Sequence, residues 1–305
     1  MTTRIVEKAE NIAAIDAGRF SLSVYRFHVY SVLLMAIAPL LNKFAVQTCH
    51  PLLISLYTCL FNVGYTLLFF REDHRISLHR FAIPFLLIGG MNGMGIFCLI
   101  YSLQELDPAT ASFIGRLYVV FSFIFSSVFF NEKLSAGFMK LSALAFVGLI
   151  CFSYKGFDYD GYDAMALSLL SSLLFAGANV VLKLRVGRLP SSTTLLYSNL
   201  VSCMMFFGFT LVMGLDYSIT TRELGFVAAS SFFWGFLGVY FLYKGLAVNK
   251  FSTGSFIRCF TPFVAAIYAL PFFPPQYSLL NWCGIALMLF SVLYLPLLNK
   301  HEASS

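Results

Sequence analysis

The sequence predicts an all-α polytopic membrane protein of ten transmembrane helices, arranged as two inverted five-helix repeats. Three observations predict it: an apolar composition, runs of membrane-spanning length almost end to end, and a self-similarity that lays the second half of the chain on the first. Of the 305 residues 59% are hydrophobic and only 11% charged, with a mean hydropathy of +0.81. A hydrocarbon core about 30 Å thick takes roughly 20 apolar residues per helix, and runs of that length leave little chain for a soluble domain.

In chain order, residues 1–26 come first as a polar cytoplasmic tail that mixes Arg4, Lys8, Arg19 and Arg26 with Glu7, Glu10 and Asp16. It lacks the short apolar region and small-residue cleavage site of a signal peptide. IVEKAENIAAI within it suits either a short amphipathic turn on the membrane surface or a disordered tail. Spans follow at 27–47, 51–70, 81–101, 109–130 and 137–154, then at 163–184, 193–214, 222–243, 251–272 and 281–298. The first five belong to one unit, residues 27–155, and the last five to a second, residues 163–298.

The loops between spans carry the basic residues unevenly. With the N-terminus in the cytoplasm, fifteen Lys and Arg residues fall on that side and three, Lys43, Lys155 and Arg222, on the other. Such a bias sets orientation, so both termini are predicted cytoplasmic in a cell (inner) membrane. The net charge of +6 then reports topology, and no nucleic-acid partner is expected. The seven cysteines lie in or beside apolar spans without a CxxC pair and read as core-filling thiols. The five histidines are scattered, and HExxH, GxSxG and GxGD patterns are absent. No metal or other cofactor is expected, and nothing supplies the nucleophile and base of an intramembrane enzyme.

The repeat appears on self-comparison. At a shift of 140 residues LLMAIAPLLNKFAV (33–46) lies on LLFAGANVVLKLRV (173–186), and Leu56 and Tyr57 fall on Leu196 and Tyr197. At 142 or 143, Gly93 meets Gly235, Tyr101 meets Tyr243, and SFIGR (112–116) meets SFIR (255–258). Five is odd, so the second unit enters the membrane from the opposite face. Inverted repeats of this kind belong to secondary transporters, with binding near the midplane between the repeats.

The 5+5 arrangement, with SFIGR leading to FFNEKLS (129–135) at the end of the fourth span, resembles the EamA-type members of the drug/metabolite transporter superfamily. In that family the fourth helix commonly closes with a G-E-[KR]-L-[ST]-like signature. Asn131 stands in place of the Gly, while Glu132, Lys133, Leu134 and Ser135 keep the rest; the second copy reads FPPQYS (273–278) and has lost it. The resemblance covers residues 27–298. It implies a carrier whose first four helices of each unit surround a central cavity, with the fifth and tenth packed to one side, where some members form homodimers. It also implies a substrate among amino acids, metabolites and organic ions, with sugar phosphates and nucleotide sugars moved by relatives.

Two charges stand inside the spans: Arg116 in the fourth and its repeat partner Arg258 in the ninth. Each lies about 3.5 residues from the centre of its span, roughly 5 Å from the midplane. An arginine at a helix centre costs on the order of 2.5–3.5 kcal/mol, so something must offset it. Every Asp and Glu near the membrane falls at a span end or in a loop. Two readings follow. Either helix-end carbonyls or water satisfy structural arginines, or the guanidinium groups meet an anionic substrate, for which their bidentate geometry is suited.

On a helical wheel Gly254, Ser255, Thr261, Pro262, Ala265 and Ala269 share the face of Arg258. Small residues around a charge suit a cavity wall or close helix packing rather than lipid. Pro262 also frees a backbone carbonyl near Arg258. Ser112 lies on the face of Arg116; Ser168, Ser172, Asn179 and Lys183 share one face of the sixth span; and Asn92 lies within GGMNGMG (89–95). The candidate substrate-binding residues are therefore Arg116, Arg258, Ser112, Ser255, Thr261, Asn179 and Asn92. Lys43 and Lys183 read as interfacial snorkels, and Trp234, Tyr101 and Tyr243 as packing or belt residues.

No membrane carboxylate is present to carry a cationic drug or its proton. The expected function is alternating-access transport, in the export direction, of a small anionic or zwitterionic metabolite such as an amino acid. An organic-phosphate or sugar-phosphate exchanger and a non-transport membrane accessory protein are the alternatives.

Overall fold

A computed structural model describes residues 22–70, 78–115, 117–130, 136–153, 161–186, 189–248, 258, 261–273 and 278–302. Among these residues the regular structure is helical throughout and no strand occurs. The helices are α1 (Leu22–Met35), α2 (Ala38–Val46), α3 (Pro51–Phe69), α4 (Leu78–Ser102), α5 (Pro108–Ile114), α6 (Leu117–Phe130) and α7 (Ala136–Ser153) in the first half. The second half has α8 (Tyr162–Val181), α9 (Ser191–Met213), α10 (Thr221–Ser230), α11 (Val239–Val248), α12 (Thr261–Ala269) and α13 (Leu279–Glu302). Six helical stretches among the described residues are long and apolar enough to cross a membrane, beginning with Arg26–Val46 and ending with Thr221–Ala247.

Several spans read as uninterrupted are broken, each for a local reason. The first span divides between Met35 and Ala38, because Pro39 has no N–H to give and its ring crowds the carbonyl one turn back. The fourth divides at Gly115, whose N–H ends α5 on the carbonyl of Ala111 at 2.9 Å. The sixth continues from α8 into a π-helical turn, Leu182–Val186, and the eighth passes through another, Ser231–Gly238, between α10 and α11. Residues 1–21 of the expected 1–26 tail lie outside the described residues, and α1 begins five residues earlier than the expected span, at Leu22.

Helix ends are closed by their own residues. The His50 imidazole accepts from the backbone N–H of Leu52 at 3.2 Å and Pro51 opens α3. Asp107 accepts from Thr110 N–H at 2.9 Å at the start of α5. Thr220 and Glu223 form a reciprocal capping box on α10. Gly214, at φ +61°, ends α9 in the left-handed conformation that a side chain would strain. Lys43 donates to the carbonyls of Leu103 and Gln104 at 2.7 and 3.1 Å, meeting the negative end of α4.

The packing comes in repeat-related pairs. Helices α1 and α2 lie on the eighth span as α8 lies on α4; α3 packs on α9; α5 packs on α12; and α7 packs along α13. Close approaches carry glycine: Gly89 and Gly93 of α4 abut Ser198, Val201 and Ser202 of α9, and Gly245 of α11 abuts the His28 ring of α1. Ser202 Oγ donates to Gly89 O at 2.7 Å across the first of these seams. Buried hydroxyls in the helices return to the carbonyl one turn back, as Ser55 does to Pro51 at 2.8 Å and Thr66 to Asn62 at 2.7 Å. Large apolar side chains such as Leu68, Met204 and Val212 face outward while Asn42, Asn62 and Ser198 are buried. That distribution suits a lipid exterior around a polar interior.

Candidate functional site

The polar interior opens into a central cavity of about 120 Å³, close to the roughly 150 Å³ that admits a benzene-sized solute. Its walls come from α1–α6 of the first unit and from α8, α9, the eighth span and the Arg258–Thr261 region of the second. Among the described residues, none of the lining comes from α7 or α13. The described part of the cavity wall holds one ionised side chain, Arg258, and no carboxylate.

Arg258 is 9% exposed. Its guanidinium carbon lies 4.7 Å above the Tyr118 ring and Nη2 lies 3.7 Å from Met35 Sδ, so a cation–π contact holds it from α6. Pro262 cannot donate to the carbonyl four residues back, that of Arg258; instead Thr261 Oγ1 donates to it at 2.8 Å. The Tyr118 hydroxyl accepts from Asn179 Nδ2 at 3.0 Å, linking α6 to α8. Across the cavity Asn92 Nδ2 lies 3.5 Å from the Tyr243 hydroxyl.

A second polar chain crosses between the units. Asn199 Nδ2 donates to the Leu195 carbonyl at 2.8 Å, and Asn62 Nδ2 donates to Asn199 Oδ1 at 3.0 Å. Gly235 presses against the Asn62 amide, and only a residue without Cβ leaves space for it there.

Of the candidate residues, Ser112, Asn92, Asn179, Arg258 and Thr261 all line this one cavity. Arg116 and Ser255 lie outside the described residues. Ser112 Oγ donates to Pro108 O at 2.7 Å. Asn92 sits beside the Gly89 and Gly93 seam yet reaches the cavity, so packing and lining fall to neighbouring residues of one motif. Trp234 and Tyr243, read as packing or belt residues, do pack in the hydrophobic core, and both also touch the cavity. Tyr101 is exposed near the end of α4. The sequence reading missed Asn42, Asn62, Asn199 and Tyr118; a search of the spans for amides as well as charges would have found the three asparagines.

Helical spans exposing apolar side chains around a buried cavity with polar side chains in its wall define a polytopic membrane protein. The sequence matches the EamA-like transporter family over residues 23–154 and 164–296, and the chain belongs to that family. It is 28% identical over 110 residues to the "Pseudopaline exporter CntI" of Pseudomonas aeruginosa (strain UCBPP-PA14), a match covering 35% of this chain and 38% of the relative. The same protein from Pseudomonas aeruginosa strain PAO1 matches equally, so the chain spans well under half the length of these relatives. A solved structure, described only as "Crystal structure of protein", superposes with a TM-score of 0.69 at 14% identity, over 93% of this chain and 99% of the other. At that identity the likeness speaks for the fold.

Proposed function

We propose that the protein is a secondary transporter that exports a small organic metabolite carrying a carboxylate, an amino acid or a similar solute, by alternating access. The observation that carries this reading is Arg258, a guanidinium buried in a cavity whose described wall holds no carboxylate. A fixed cation in such a wall favours an anionic partner and disfavours a cationic one. Ser112, Asn92, Asn179 and Thr261 supply neutral partners around the solute, with Arg116 and Ser255 as the repeat-related contributors. The exporter relatives support the direction.

The architecture that goes with this function is ten membrane spans in two inverted units, residues 27–155 and 163–298, in a cell (inner) membrane with both termini cytoplasmic. The pairwise packing supports the symmetry, and the basic-residue bias supports the orientation. Reporter fusions after Ser153, Met213 and Pro271 should all report the non-cytoplasmic face, since each follows an odd-numbered span. A cytoplasmic signal at Met213 would break the inverted repeat.

The direct test is a thermal-shift screen of purified protein against amino acids, organic acids and sugar phosphates, since a ligand bound only by the folded state raises its Tm. Carboxylates that raise Tm and move across reconstituted vesicles support the reading. Stabilisation by organic cations alone would overturn it.

A further inference from the structure

Tyr118 joins the two units at the cavity. It belongs to α6 of the first unit, is 4% exposed and lines the cavity wall. Two contacts reach it from the second unit: its hydroxyl accepts from Asn179 Nδ2 at 3.0 Å, and its ring lies 4.7 Å beneath the guanidinium carbon of Arg258. The hydroxyl bond fixes how the ring stands, and the ring fixes where the guanidinium rests. A guanidinium over a ring is held through its flat face by the ring quadrupole, whereas its N–H donors point outward in its own plane. The ring contact therefore does not compete with hydrogen bonds made through that edge. A carboxylate would anchor Arg258 as firmly but would also cancel its charge, and the described cavity wall holds none. An aromatic ring has no net charge, so the guanidinium over it stays a full cation. In the sequence an arginine stands two residues ahead of an aromatic ring in both units, Arg116 before Tyr118 and Arg258 before Phe260. What the two repeats share is the ring, not the hydroxyl.

We infer that Tyr118 is a positioning residue that sets the selectivity of the cavity for anions by presenting the Arg258 guanidinium through its ring face. This rests on the proposed function and adds to it a residue that acts through the arginine. An arginine side chain has many rotamers, and ordering it only when a solute arrives lowers affinity about two- to tenfold. Held over Tyr118 beforehand, the guanidinium meets an anion without that loss. A neutral solute of the same shape gains nothing from the arrangement, so the ring changes the ratio of the two affinities as well as the tighter one. Because Tyr118 and Arg258 belong to different units, the contact also ties the anion site to the relative position of the two halves.

The test uses the full-length protein in detergent and measures, by calorimetry, binding of the monocarboxylates from acetate to hexanoate, of benzoate, and of the primary amide of each. Acid and amide have the same shape and differ in charge. The wild-type protein should bind at least one carboxylate about tenfold or more tighter than its amide, the size of one hydrogen bond to a charged group. Tyr118→Phe keeps the ring and should keep most of that preference. Mono-, di- and trifluorophenylalanine at the same position, placed by nonsense suppression, draw density from the ring face at nearly constant size. The carboxylate preference should fall with each fluorine, to a loss of about two- to tenfold at three, while affinity for the amide stays constant. Tyr118→Leu should resemble the trifluorinated ring; if it does not fold, the fluorine series decides alone. A preference that is flat or rises across the series, or a fall shared by acid and amide, would overturn the role of Tyr118 and leave the arginine reading standing. A wild-type protein with no preference for carboxylates would overturn both.

Discussion

Replacing Arg258 with Gln is expected to leave a folded, inserted protein that has lost substrate flux. Gln keeps hydrogen-bonding capacity on a shorter side chain, and membrane insertion becomes no harder when a central arginine charge is removed. Flux falls because truncating one partner of a buried, hydrogen-bonded charge pair costs about 2–5 kcal/mol, roughly 30-fold or more in affinity. Arg258→Lys should recover part of it: the ammonium keeps a charge over the Tyr118 ring but lacks the bidentate fork. The measurement is uptake into reconstituted vesicles of a carboxylate found in the thermal-shift screen, with monodispersity checked by size-exclusion chromatography. Wild-type flux in Arg258→Gln would sink the anion site, and loss of folded protein would make the arginine structural.

The arginine was legible in the sequence because charge is costly in a hydrocarbon environment and therefore stands out. The neighbouring Thr261 and Ser112, and Asn179 on its own helix face, followed from helical periodicity. Asn42, Asn62 and Asn199 did not follow, since an asparagine in an apolar span is equally at home bonding across a helix seam. Only the hydrogen-bond chain from Leu195 O to Asn62, between helices far apart in sequence, distinguishes the roles. Trp234 and Tyr243 combine the packing that their residue types suggest with a place in the cavity wall, and that second place is visible only once the helices are assembled. The breaks at Pro39 and Gly115 escaped because hydropathy counts residues along a span and is blind to backbone continuity.

The same limit applies to the glycines of GGMNGMG, where adjacent residues that look alike in sequence should respond oppositely. A Cβ on Gly89 would lie 2.5 Å from Val201 Cβ and 2.7 Å from the Ser198 carbonyl. Backbone cannot yield as a side-chain tip can, so Gly89→Ala must push α4 off α9 and stretch the Ser202–Gly89 hydrogen bond, now 2.7 Å. Overpacking of this kind costs about 1–3 kcal/mol. Because α4 carries Asn92 and α9 carries Asn199 and Ser202, all in the cavity wall, the displaced seam should weaken substrate binding as well. A Cβ on Gly90 meets nothing within 4 Å. Gly90→Ala therefore only removes the entropy of a helical glycine, a gain of about 0.5–1 kcal/mol. Thermal unfolding of the two variants in one detergent should place Gly89→Ala below the wild-type protein and Gly90→Ala at or above it. Equal Tm values for the pair would mean that α4 does not meet α9 along this face.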